Sequence, residues 1–389
     1  MIQFLVRRLV PEGAQPNDHA VRERCGTLSG LIGIVLNLLL CAGKFAAGAF
    51  TGSISVMADA LNNLTDAGSS VVTLLGFRLA GQKADEAHPF GHGRMEYLSG
   101  LIVSLLILLV GFELGKSSVE KILHPEQVVF SVISAVILAA SVCVKLWMCL
   151  FNRALSKKLN SAALAAAAAD SLADAVATTV VLAGLVVGHF SGLNIDGWLG
   201  VAVALFILRS GLGAAKDTLD PLLGQPPDPA LVRAVQETVL SHREVVGLHD
   251  LIIHDYGPGR RLLSLHAEVP ADADIMAAHD VIDRIERELR EKYSVEAVIH
   301  MDPILVGDET TDRLRRLVAK HAWEIDPAIT IHDFRITDGP LHTNLIFDMV
   351  VPHSCKLTEE QAKEQIAAAM RQEDERYFTV VEIDRSYVL

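Results

Sequence analysis

The sequence has no paired cysteines and no recognisable leader, and both absences narrow the class of protein. Its five cysteines include no Cys-x-x-Cys pair, so we expect neither a disulfide framework nor a zinc finger. The apolar patch at residues 2–6 is too short for a signal peptide, and Arg7, Arg8 and Pro11 follow it. The N-terminus is therefore not expected to be a signal peptide.

Acidic residues outnumber basic ones in only one half of the chain. Residues 1–221 contain 16 acidic and 16 basic residues, whereas residues 222–389 contain 31 acidic and 18 basic ones. The formal charge of −13 therefore belongs to the C-terminal half. An acidic half argues against a nucleic-acid partner and tolerates divalent cations.

Long apolar runs dominate the first half. Hydrophobic residues make up 51% of the chain, which favours a membrane protein over a soluble one. Runs long enough to cross a lipid bilayer fall at about 27–50, 54–79, 97–118, 127–151, 160–188 and 195–218. The sequence thus predicts an α-helical membrane protein with six transmembrane helices.

The positions of the positive charges predict the orientation. Basic residues cluster before the first run and in the connections from the second to the third and from the fourth to the fifth. All of these segments lie on one side of the membrane if both termini are cytoplasmic, as the positive-inside rule requires. We therefore expect a multi-pass protein of the cell (inner) membrane with cytoplasmic N- and C-termini.

Two of the runs contain oxygen-bearing side chains spaced four residues apart. Asn62 and Asp66 lie in the second run, and Asp170 and Asp174 lie in the fifth. This spacing places each pair on one face of a helix. An Asp at membrane depth costs about 3 kcal/mol on insertion scales, so three of them need a compensating partner. A bound divalent cation is the simplest partner that uses four oxygens at once.

Two further polar residues of the second run, Asn63 and Asp59, also need an interpretation. Asn63 could replace Asn62 after a small helix rotation, because it lies three residues before Asp66. Asp59 lies one turn earlier on the same face, and we expect it to be a hydrogen-bond partner near the outer end of the helix.

The C-terminal half predicts a repeated small fold. A proline-rich linker at residues 225–229 precedes the order helix, strand, strand, helix, strand. His249-Asp250 is echoed by His332-Asp333, and other motifs recur at the same interval, which indicates an internal repeat of ~80 residues. The expected domains are an N-terminal segment (1–26), a six-helix domain (27–221) and two ferredoxin-like α+β modules (222–305 and 306–389).

Together these features resemble the cation diffusion facilitator family over about residues 20–305. The resemblance rests on the six runs, the two polar pairs, Gly68-Ser69 after the first pair, the connection His-Pro-Phe-Gly-His-Gly-Arg-Met-Glu at residues 88–96, and the ferredoxin-like module. It implies a homodimer that exports divalent metal from the cytoplasm in exchange for protons, and not an enzyme.

The resemblance also implies which residues bind metal. The four ligands of the family's transport site match Asn62, Asp66, Asp170 and Asp174. Zinc-transporting members have histidine in these pairs, and this chain has none. Carboxylates and amide carbonyls suit Mn²⁺, so Mn²⁺ is the expected cargo, with Zn²⁺ and Fe²⁺ as alternatives.

Three further sets of residues follow from the resemblance. A second metal site falls on the connection between spans two and three, and a cytoplasmic metal site falls on the first module, at or near the dimer interface. An ion pair is expected at the cytoplasmic edge of spans three and six. The loop site comprises Asp85, His88 and His92; the cytoplasmic site comprises His249, His266, His279, His300 and Asp302; the ion pair joins Arg94 and Asp220.

The role of the second module and the function of the protein each allow more than one interpretation. The second module keeps His332 but has Asp348 and Glu382 at the positions of His266 and His300, so we expect the second copy to bind metal poorly or to prefer a harder ion, and to extend the interaction surface. A membrane-anchored metal sensor without transport remains a competing hypothesis. An intramembrane aspartyl protease is disfavoured because no Gly-x-Gly-Asp occurs on span five.

Overall fold

The chain forms two compact units, which are described separately below. The computed structural model describes residues 2–11, 18–51, 54–124, 132–191, 196–339, 341–352, 355 and 357–384. The first unit comprises Met1–Gln225 together with Asp255–Arg260, and the second comprises Pro226–His254 and Arg261–Leu389.

The first unit is helical. Its helices are α1 (Ile2–Leu9), α2 (His19–Thr51), α3 (Ile54–Ala80), α4 (Met95–Leu123), α5 (Val132–Leu159), α6 (Ala162–Ser191) and α7 (Asp196–Leu223). Among the described residues, α2, α4, α5, α6 and α7 each contain a stretch long and apolar enough to cross a membrane. Helix α3 falls outside that set, and its Asn and Asp residues lower its mean hydropathy.

The helices coincide with the six predicted apolar runs but extend beyond them at some ends. The first long helix begins at His19 rather than near residue 27, because its polar first turns continue the helix before the apolar run. The apolar patch at the N-terminus forms α1, whose Val6 is buried against Phe151 and Leu155 of α5.

Small residues allow the helices of the first unit to pack closely. A Cβ atom at Gly30 of α2 would lie 2.9 Å from the Cα of Leu74 in α3, so only glycine fits there. Ala163, Ala166 and Ala173 of α6 are also buried. Close packing through small residues is typical of transmembrane helices, and Gly30 allows it between α2 and α3.

The second unit contains the predicted order of elements twice. The first copy is α8 (Pro229–Leu240), β1 (Gly247–Asp255), β2 (Arg261–Pro270), α9 (Ile275–Tyr293) and β3 (Val295–Ile304). The second copy is α10 (Glu309–Ile325), β4 (Thr330–Asp338), β5 (Thr343–Val350), α11 (Glu359–Glu373) and β6 (Tyr377–Asp384). Each copy has its own three-stranded sheet, in the orders β1-β2-β3 and β4-β5-β6.

Each copy also has its own hydrophobic core. In the first, Val235 of α8 and Ile285 of α9 pack on Leu265 of β2; in the second, Val318 of α10 and Ile366 of α11 accompany Phe347 of β5. Strand β2 pairs in parallel with β3, and β5 pairs in parallel with β6, which aligns His266 with His300 and Asp348 with Glu382. The polar residues of each sheet are thereby brought to equivalent places.

Candidate metal sites

The acidic residues of α3 and α6 converge on one basic side chain. Lys145 of α5 is 2% exposed, and its Nζ lies 2.7 Å from Asp66 Oδ2 and 2.5 Å from Asp174 Oδ2. Asp170 lies one turn before Asp174 on the same helix and has no hydrogen bond or ion pair among the described residues. A buried ammonium thus joins the two carboxylates in the place where the sequence predicts a bound cation.

The two asparagines that precede Asp66 have different surroundings. Asn63 is 2% exposed, and its Oδ1 accepts a hydrogen bond of 2.7 Å from the buried Lys44 of α2. The Asn62 side chain is exposed and has no hydrogen bond within the described chain. The carbonyl oxygen of Asn63 is therefore already engaged, whereas that of Asn62 is free. The side chain of Asp59 lies outside the described residues.

The sequence analysis missed both lysines, although a signal was present. Lys44 and Lys145 are basic residues inside apolar runs, where a charge is costly and needs a partner. Their partners on α3 and α6 are distant in sequence, so only the packing of the helices identifies them.

The connection between α3 and α4 brings its three predicted ligands together. Candidate ligand atoms of Asp85, His88 and His92 all lie within 4.8 Å of one another. The segment is not helical; instead, the His88 backbone N–H donates to Asp85 Oδ1 at 2.7 Å, which closes a turn. That hydrogen bond, with the charges of the two histidines, holds the pKa of Asp85 below its usual value. Nδ1 of His92 is buried without a hydrogen-bond partner in the described chain.

The first module gathers four of its five predicted ligands. His249 of β1, His266 of β2 and Asp302 of β3 offer ligand atoms within 4.8 Å of one another. His300 lies beside them, with Nε2 3.3 Å from Asp302 Oδ1. His249 Nε2 is buried 3.1 Å from Asp302 Oδ2 but lacks hydrogen-bond geometry, so this nitrogen is available to a cation.

Electrostatics around His249 reflect its acidic neighbours. Burial opposes protonation of the ring, but the hydrogen bond to Asp250 and the charges of Asp250 and Asp302 outweigh it and raise the pKa of His249. The same hydrogen bond lowers the pKa of Asp250. The donor set of imidazoles and one carboxylate fits a borderline cation such as Zn²⁺ or a harder one such as Mn²⁺.

Two predicted placements do not appear within the single chain. His279 lies on the exposed face of α9, where its Nδ1 is 3.7 Å from Asp283, and it does not join the first module's cluster. No ion pair joins Arg94 to Asp220 among the described residues; Arg94 instead donates to the backbone carbonyl of Asp255, at 2.7 Å for Nη2. Both predictions were based on the family resemblance, and the packing of this chain gives these side chains other partners.

A buried ion pair, which the sequence analysis did not predict, connects three parts of the helical unit. Glu96 of α4 is 1% exposed and accepts from Arg22 of α2, at 2.5 Å to Nη2 and 3.0 Å to Nε. Ser161, just before α6, donates to the same carboxylate at 2.5 Å. Bidentate pairing of this kind adds geometric specificity to the helix arrangement.

Comparisons with known proteins identify the class. Residues 30–223 match the family model of the cation efflux transmembrane domain, and residues 227–304 match that of the cation efflux protein, cytoplasmic domain. An uncharacterized transporter of Methanocaldococcus jannaschii is 32% identical over 273 residues, which cover 70% of this chain and 96% of that protein. The chain belongs to the cation diffusion facilitator family of cation efflux transporters.

Other relatives have names that refer to export. The manganese efflux system protein MneS of Bacillus subtilis is 31% identical over 72% of this chain and 96% of its own length. The cation-efflux pump FieF of Cronobacter sakazakii is 26% identical over 70% of this chain and 91% of its own length. The family consists of membrane-spanning transporters of divalent cations rather than enzymes, which removes the protease hypothesis.

Proposed function

We propose that this protein exports Mn²⁺ from the cytoplasm in exchange for protons, through a site formed by Asp66, Asp170, Asp174 and Asn62. The observation that carries the proposal is the buried ammonium of Lys145, held between Asp66 and Asp174 at 2.7 and 2.5 Å. Two helices from different parts of the chain thus place carboxylates around a positive charge. A site that holds a tethered cation has the charge and the donors to hold a free one.

The charges at this site balance for a divalent ion. Three ionised carboxylates contribute −3 and Lys145 contributes +1, so the protein supplies −2 around the cargo. A charge at membrane depth is costly unless it is compensated, and a divalent cation compensates this one fully. Without Lys145, the three carboxylates and the divalent ion would leave a net charge of −1, which would require an additional proton or salt pair.

Transport follows by alternating access. Mn²⁺ entering from the cytoplasm meets ionised carboxylates and displaces the Lys145 ammonium from between them. When the site turns outward, protons compete for the crowded carboxylates and the metal leaves. Asn62 supplies a neutral fourth oxygen: its amide is free and exposed, whereas Asn63 is engaged with Lys44.

The donor set favours manganese over zinc. The transport site contains carboxylates and an amide but no imidazole, and such oxygen donors suit Mn²⁺. A relative named as a manganese efflux protein supports this choice, while relatives named as cation-efflux pumps leave Zn²⁺ and Fe²⁺ as alternative cargoes.

The distribution of basic residues supports cytoplasmic termini in the cell membrane. These residues cluster before the first span, between the second and third spans, and between the fourth and fifth spans. The cytoplasmic-domain match supports a homodimer.

Uptake of metal into inverted membrane vesicles tests the proposal. We expect Mn²⁺ uptake that exceeds Zn²⁺, Fe²⁺, Co²⁺ and Cd²⁺ uptake, that depends on a proton gradient and that is lost in Asp174→Ala. Asp217→Ala, which removes an exposed acid of α7, serves as the matched control and should transport normally. Asn62→His should shift the preference toward Zn²⁺, because it adds an imidazole ligand.

Two outcomes would contradict the proposal. Vesicles that move no ion would support the membrane-anchored sensor, because a sensor needs no acids at membrane depth. Undiminished uptake in Asp174→Ala would place the transport site elsewhere.

A further inference from the structure

The two modules of the second unit meet through equivalent residues. His249 is the third residue of β1, and His332 is the third residue of β4. Their rings stack with centroids 4.2 Å apart and an interplanar angle of 23°. The residues that follow, Asp250 and Asp333, share a left-handed backbone, with φ of 51° and 49°. Contact between equivalent positions is typical of an isologous interface, in which two copies use the same surface. Here the two copies are the modules of one chain.

A second group of ligand-type side chains lies on the far side of this stack. His332 of β4, Asp348 of β5 and Asp384 of β6 offer ligand atoms within 4.8 Å of one another. His332 Nε2 is 3.3 Å from Asp384 Oδ2 and 3.7 Å from Oδ1 of Asp250 in the first module. A central ion about 2.1–2.6 Å from each donor requires donors at about this separation.

The histidine of this group is buried without hydrogen bonds. The His332 side chain is 8% exposed, and neither of its ring nitrogens has a hydrogen-bond partner in the described part of the chain. A buried polar group left in this state destabilises the fold. Imidazole is the commonest metal ligand, so a cation is the partner that would remove this cost.

The carboxylates of the group are crowded by other carboxylates. Burial, with the charges of Asp384, Asp333 and Glu382, raises the pKa of Asp348 to about 6. Burial and the charge of Asp250 also raise the pKa of Asp384. A multivalent cation at this position would relieve the repulsion that these groups exert on one another.

We propose that His332, Asp348 and Asp384, together with Asp250 of the first module, form a separate site for a hard divalent cation such as Mn²⁺, which fastens the two modules of one chain together. The first module supplies mainly imidazoles, whereas this set supplies one imidazole and up to three carboxylates, and such oxygen-rich sets select harder ions. The second module is thus a metal-binding element of its own, and Asp250 makes its site depend on the first module.

Metal counting on the full-length protein in detergent tests this site. We expect equilibrium dialysis against Mn²⁺ to show one bound ion fewer per chain in Asp348→Asn/Asp384→Asn than in the natural chain. The control Glu364→Gln/Glu375→Gln removes two charges from exposed positions of the same module and should lose none. The single variant His332→Gln keeps a polar side chain and should also lose one ion. It provides an independent test of the site if the double variant does not fold.

A second measurement tests whether the bound ion holds the two modules together. Mn²⁺ should slow amide hydrogen exchange in β4 and β6 of the natural chain, and not in His332→Gln. An unchanged ion count in both site variants would overturn the proposal, as would an equal loss in the control, because the acidic surface in general would then be the binder. The readout is binding rather than flux, so the transport proposal can fail without affecting this one.

Discussion

At the scale of single residues, Lys145 is the side chain that changes the interpretation of the transport site. The sequence analysis found the acids from their spacing but not the base between them, because the base comes from a third helix. Its ammonium, 2.5 Å from Asp174 and 2.7 Å from Asp66, makes the site a preformed ion pair rather than a set of unbalanced carboxylates. On the proposed mechanism, Lys145 competes with the metal and helps to release it.

Lys145→Met should therefore separate binding from turnover. A unit charge and a divalent ion 4 Å apart interact by about 8 kcal/mol at an effective dielectric of 20. If about a sixth of that repulsion between ammonium and cargo is relieved in the variant, the Kd for Mn²⁺ falls about tenfold, since about 1.4 kcal/mol is one factor of ten. We expect tighter Mn²⁺ binding and slower Mn²⁺ flux, measured in micelles and proteoliposomes.

A lysine at the exposed end of α5 provides the comparison. Lys157→Met removes a charge far from the acids and should leave both the Kd and the flux unchanged. A purely structural role for Lys145 predicts weaker binding together with slower flux. That result in a protein that still elutes as a single species would refute competition between ammonium and metal.

At the scale of elements, the pair Arg22–Glu96 connects helices that the sequence leaves unrelated. The charged residue of each helix looks like an ordinary end-of-helix residue in the sequence, and only the packing reveals that both are buried, at 3% and 1% exposure. Because both side chains are buried, loss of their interaction affects stability more than loss of an ion pair on the surface would. Removing one partner of a buried pair leaves the other charge uncompensated, at a cost of about 3–5 kcal/mol.

Glu96→Gln should accordingly lower the stability of the helical unit. The amide keeps the shape of the side chain but removes the negative charge that Glu96 places against Arg22, so we expect loss of about 3–5 kcal/mol, seen as a lower midpoint of thermal unfolding in detergent. Glu86→Gln, on the exposed connection between α3 and α4, should leave the midpoint unchanged. Equal midpoints for the two variants would show that the pair contributes little.

At the scale of the whole molecule, the second module is an addition to a chain already long enough to transport. The family matches end at residue 304, and the M. jannaschii relative aligns over 96% of its length with 70% of this chain. The two modules have separate cores, so the first does not need the second to bury its apolar residues.

A chain ending after Gly307 should therefore fold and export Mn²⁺. We expect flux per protein comparable to that of the full chain, because the residues of the proposed transport site all lie in the helical unit. The truncated protein should bind fewer Mn²⁺ ions, because His332, Asp348 and Asp384 are removed. Flux assays in proteoliposomes and equilibrium dialysis measure the two quantities. Loss of flux in a folded, truncated protein would give the second module a role in transport.

The sequence by itself determined what depends on local pattern. Apolar length identified the six helices, since a bilayer requires about 20 apolar residues per span. The recurrence of motifs predicted two copies of one α+β module, and the spacing of Asp66, Asp170 and Asp174 identified acids that need a partner. The predicted ligands of the loop and of β1 to β3 also lie near one another in the structure, apart from His279.

Only the tertiary structure decided which side chains meet across elements. Lys44, Lys145 and Arg22 find their partners on other helices, and His332 finds Asp250 on another module. A sequence pattern records the face on which a residue lies but not the rotation and approach of the neighbouring element. The charge balance of the transport site and the junction between the modules are set by that approach, because electrostatic interactions depend on distances of a few ångströms.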